Sequence, residues 1–172
     1  MLTYNIHPLF VHFPIALLFL YSISKVLPLK KWFPNGAWKH IKRALLFFGV
    51  LGAFVALATG DTAEQLFRPN RALVEMHSTF AGIATWIYAL LLLGEIAQVI
   101  RAEYGTKIQS KTILQLCAFF EKVFCEKTFS KILAVAGFIA IAVTGILGGV
   151  MVYGLSADPF AGFVLKILGL QI

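Results

Sequence analysis

ILAVAGFIAIAVTGILGGVMVYGL, residues 132–155, contains no charged side chain. A helix of about 20 apolar residues crosses the hydrocarbon of a bilayer, so this run places the chain in a membrane. Working outward from it, three more runs meet the same criterion, at about 9–27, 41–60 and 73–100. The 172 residues are 59% hydrophobic and 13% charged, with a mean hydropathy of +0.84, values foreign to a soluble domain of this size. The expected fold is an all-α integral membrane protein, a four-helix transmembrane bundle forming one domain over 1–172.

Charge orients the bundle. Twelve of the fifteen Lys and Arg residues fall in two connections, from Lys25 to Arg43 and from Arg101 to Lys131. Positive residues favour the cytoplasmic side, so both termini are expected outside a bacterial cytoplasmic membrane. Such clustering by connection speaks for anionic lipid headgroups and gives no nucleic-acid motif. The first span has no preceding Lys or Arg and no cleavage pattern after it, and is read as a retained span. Cys117 and Cys125 fit neither CxxC nor CxxCH.

Two segments lie outside the spans. At about 108–128, Ile113, Leu116, Cys117, Phe120 and Phe124 share a helical face, which predicts an amphipathic interfacial helix with its apolar side in lipid. The C-terminal apolar segment 159–172 is too short to span and is expected at the outer interface or packed back on the bundle.

Unusual residues gather at the outer end. His7 and His12 open span one, and His77 lies in the outer half of span three. If Pro8 starts one helix and Asn70 caps the other, His12 and His77 lie about 6 Å and 10 Å in, near enough in depth to meet. His7 precedes a proline, is steered from helical geometry and is placed just outside the helix. Five residues apart, His7 and His12 are separated by about 140° around a helix and form no single chelating face. Pro14 withdraws a backbone donor and predicts a bent start of span one. Gly145 and Gly149 are spaced as a GxxxG seam. Asp61 could accept the second N–H of an imidazole, and Arg68 and Arg71 could pair with haem propionates.

The strings HPLFVHFPIALL, ALATGD and EMHSTFAG, spread over roughly residues 5–100, resemble the bacterial membrane-protein family called domain of unknown function 2231. The resemblance marks His7, Pro8, His12, Pro14, Gly60 and His77. It implies a small helical membrane domain that accompanies cytochrome-like modules in some relatives.

Ionisable groups inside a span are costly and tend to mark function. The first reading is a b-type cytochrome-like protein, with haem b between spans one and three and His12 and His77 as axial ligands. It would exchange electrons with quinone or an extracytoplasmic redox protein. A variant binds copper or zinc through His7, His12 and His77. A second reading is a cofactor-free permease or channel subunit, which would work as a homo-oligomer, and a third is a structural subunit of a membrane complex. No hydrolytic motif is present, and a non-hydrolytic electron-transfer or membrane subunit is expected rather than a stand-alone enzyme.

Overall fold

The structure is a computed structural model that describes residues 7–67 and 70–170. Its helices are α1 (His7–Val26), α2 (Leu29–Trp32), α3 (Trp38–Phe67), α4 (Arg71–Val99), α5 (Lys111–Phe124), α6 (Lys127–Tyr153) and α7 (Ala161–Ile167). A π-helical turn, Ile100–Tyr104, prolongs α4, and a 3-10 turn, Gly154–Ala157, prolongs α6. The described residues contain no strand, as the hydropathy predicts.

Three helical segments, Trp38–Gly60, Arg71–Tyr104 and Lys127–Ser156, are long and apolar enough to cross a membrane, and Phe10–Val26 of α1 is a shorter apolar one. Their outward faces carry Phe13, Phe48, Trp86 and Ile139, all exposed, while Ser22, Ser24, Thr85, Ser130 and Thr144 are buried. Water penalises that distribution and lipid does not, because hydrocarbon outside the bundle is as apolar as the residues facing it.

The four apolar helices close a ring. α3 and α6 each pack beside both α1 and α4, which leaves α1 and α4 on the diagonal. Across that diagonal the Tyr88 hydroxyl donates to Ser22 Oγ at 2.7 Å, because the Ser22 proton is already given to the Ala134 carbonyl at 3.1 Å. This polar contact at the centre ties α1, α4 and α6 together. Tyr21 packs edge-on to Tyr88 with ring centroids 6.0 Å apart.

At the end of the bundle that carries the basic connections, Arg43 of α3 donates through Nε to Glu95 at 2.8 Å and through Nη2 to Gln98 at 2.7 Å. Glu95 therefore pairs with another helix rather than with nearby Arg101, which binds Glu121 of α5.

α5 is the amphipathic helix that the sequence predicts between the last two spans, and it packs on α4 as well. Leu114 and Ala118 share a surface groove with Arg101 and Gly105, Glu121 meets Gln98 and Arg101, and Phe124 lies against Gly94. The order runs backwards along α4, so the two form an antiparallel hairpin. Of the predicted lipid face, Cys117 is buried, and Ile113 and Leu116 are left outward. Ser110 caps the helix, and Gly94 lets it approach, since a Cβ there would lie 2.7 Å from that of Phe124.

Glu126 caps α6 through the Phe129 and Thr128 amides. Those hydrogen bonds, with Phe129 the larger influence, hold its carboxyl below the ordinary carboxylate value. A depressed value means that the cap stabilises above the unfolded pKa and is lost as pH falls through the folded one. Amide exchange in the first turn of α6 should accelerate across that acid window, and Glu126→Gln should abolish the pH dependence while leaving the rest of the helix protected.

At the opposite end, Asn70 accepts from the Ala72 amide at 2.9 Å and starts α4 as predicted. α7 packs back on the bundle: Ala161 and Leu165 are buried with Leu73, Leu147 and Val150.

Candidate functional site

α1 runs helically from His7 through Pro14 to Val26. His7 is thus helical, the first residue of α1 among the described residues, and not outside the helix as its place before proline suggests. The clash of the Pro8 ring with the preceding residue disfavours helical geometry at His7 without forbidding it. Pro14 is buried, and Gly52 of α3 makes room for its ring, since a Cβ there would lie 3.2 Å from Pro14 Cβ.

One register decides which histidine looks inward. His7 is half-buried and turned to α3, whereas His12, about 140° farther round, is exposed. His7 Nδ1 lies 2.9 Å from Thr59 Oγ1. The Thr59 proton is directed at the helix carbonyls of Ala56 and Val55, 3.0 and 3.2 Å away. A hydroxyl has one proton to give, so His7 donates and its proton sits on Nδ1. Gly60 lies beside this ring, an added Cβ falling 3.9 Å from Cε1.

His77 has a parallel arrangement on the diagonal helix. Its Nδ1 lies 3.0 Å from the Thr144 carbonyl of α6. A carbonyl only accepts, so this proton also sits on Nδ1 and Nε2 is the basic nitrogen. Nε2 makes no hydrogen bond among the described residues. Gly148 makes the approach possible: one turn beyond Thr144, a Cβ there would lie 3.3 Å from His77 Cε1. The Thr144 hydroxyl is occupied with Ala140 O at 2.8 Å.

Other predicted residues fall around this end. Arg71 is exposed at the start of α4. Asp61 belongs to α3, but its side chain, like all of Arg68, lies outside the described residues. Among the described residues no three His, Cys, Asp or Glu side chains gather as a metal-holding group. The spacing of His7 and His12 sends their rings to different flanks of α1, one half-buried and the other exposed.

Thr59, Thr144 and Gly148 are the residues that sequence reasoning passed over. The available signal was the hydroxyl of Thr59 near the end of its apolar span; at Thr144 the anchor is a backbone carbonyl, which any residue type supplies. Of the GxxxG pair, Gly145 faces open space, and close approaches on α6 are made at Gly148 and Gly137.

The profile of a family described as "Predicted membrane protein (DUF2231)" matches residues 3–157. No curated protein and no solved structure matches the chain.

Proposed function

We propose, from the premise that the chain belongs to the DUF2231 family of predicted membrane proteins, that it is an electron carrier binding haem b between α1 and α4. The observation that carries this reading is the anchoring of His77. With Nδ1–H held by a backbone carbonyl, the ring is fixed in orientation and tautomer, and Nε2 becomes a better donor, the arrangement usual for ligating histidines.

The donor set fits the group: α1 supplies the second imidazole from across the bundle, and neutral imidazole pairs suit low-spin haem iron. The bound group would supply reversible one-electron chemistry. The protein's part is to hold both rings in one tautomer, to surround them with apolar helices, and to offer Arg68 and Arg71 as partners for propionates, with Asp61 available to a ring N–H. The basic connections support placement in a bacterial cytoplasmic membrane with both termini outside. It would put the site near the outer face, in reach of quinone or an extracytoplasmic redox protein.

The test is the dithionite-reduced minus oxidised absorption spectrum of protein purified from haem-replete cells. A sharp reduced α band that disappears in His77→Ala is the expected result. A featureless spectrum at good yield, with no extractable haem, would overturn the proposal.

A further inference from the structure

The two halves of the bundle repeat one another. Shifting α1 by 70 residues onto α4 superimposes buried positions on buried positions: Pro14 on Ala84, Leu18 on Tyr88, Tyr21 on Leu91, Ser24 on Gly94. The same shift places Phe10 on Phe80 and His7 on His77. Shifting α3 by 85 residues onto α6 aligns Val50, Gly52, Thr59 and Gly60 with Val135, Gly137, Thr144 and Gly145. Heptad-like packing alone would reproduce the buried register. It would not reproduce the contact that joins each pair of helices, which runs in both halves from the equivalent histidine Nδ1 to the equivalent threonine, to the Thr59 hydroxyl at 2.9 Å and to the Thr144 backbone carbonyl at 3.0 Å.

α1 packs mainly on α3 and α4 mainly on α6, and α1 and α4 both begin at the same end. The halves are therefore parallel repeats about an axis along the bundle, a relation that in membrane proteins places ligand sites at the repeat interface. Equivalent residues on diagonal helices then lie at matching depth on opposite sides of that axis.

We infer that the chain is a tandem duplication of a two-helix unit, and that His7 and His77 are its equivalent residues, forming a two-imidazole site across the axis. His12 falls on Gly82 and has no counterpart, so the duplication leaves it out of the pair. The ligand class, a metal macrocycle held axially, rests on the haem reading above; the pairing does not.

Two measurements on the full-length chain separate these claims. In the double variant His7→Cys/His77→Cys, a short fluorogenic bis-thiol reagent should join the two positions, identified by peptide mass and so distinguished from Cys117 and Cys125. His12→Cys/His77→Cys should give no link above the single variants. A link from position 12 and none from position 7, or none from either in well-folded protein, overturns the pairing whether or not haem is bound.

If wild-type protein carries haem, His7→Met and His77→Met should each retain a six-coordinate spectrum with a raised midpoint potential, as methionine–histidine ligation gives. His12→Met should leave both unchanged. The opposite pattern, with His12→Met acting and His7→Met silent, overturns the ligand assignment. Absence of haem from wild-type protein removes the cytochrome reading, and the cross-link then decides the pairing alone.

Discussion

Gly137→Leu is expected to cost the bundle at least about 3 kcal/mol, the upper part of the range for overpacking a filled core. At this position even a methyl group has no place: an added Cβ would lie 2.8 Å from the Tyr88 ring. Tyr88 cannot retreat. It is fully buried, its ring rests edge-on against Tyr21, and its hydroxyl is held by Ser22, which is itself bonded to the Ala134 carbonyl. Moving the ring would strand a hydroxyl in an apolar interior, adding the cost of an unmade hydrogen bond. The check is the thermal midpoint in detergent. Gly137→Ala should lower it, Gly137→Leu should lower it further or prevent a monodisperse preparation, and unchanged midpoints in both would contradict the packing of α6 on α4.

If the protein binds the proposed haem, Gly148→Leu should remove it without altering either His7 or His77. The added side chain occupies the place where His77 lies, beginning 3.3 Å from Cε1 with its Cβ, and drives Nδ1 from the Thr144 carbonyl. Losing such an anchoring bond typically weakens a metal site about 10–100-fold. The haem-to-protein ratio and the height of the reduced α band should fall together. Gly145→Leu is the companion variant, since nothing lies within 4 Å of a Cβ at Gly145. Equal loss in both variants would mean that helix disturbance, rather than displacement of His77, is being read.

The architecture was largely legible because a bilayer imposes one simple demand, continuous apolar length, on every span. The cap at Asn70 was legible for a similar reason, as its bond to the Ala72 amide is local. What escaped was decided between helices. Ile113, Leu116 and Phe124 present the same amphipathic pattern to lipid as to a neighbouring helix, so periodicity did not reveal that α5 returns along α4 against Gly94. His7 and His12 are equally plausible from spacing alone. Their fates depend on the absolute rotation of α1, set by how Pro14 sits on Gly52 and Leu18 beside Gly49. Likewise GxxxG spacing marks a face where helices can approach, and only the facing side chain decides that the tight positions are Gly137 and Gly148.

The pairing of α1 with α3 and of α4 with α6 also bears on how the chain is made. By Phe67 a first hairpin is complete, with its own histidine–threonine bond and its own packed seam at Gly49 and Gly52. It can assemble during synthesis, before the second pair has left the ribosome, because its contacts span a short stretch of chain. Among the bonds that join the halves, Tyr88 to Ser22 and Arg43 to Glu95 become available once α4 arrives. Assembly is then a docking of two ready-made pieces, and those two contacts are its latch.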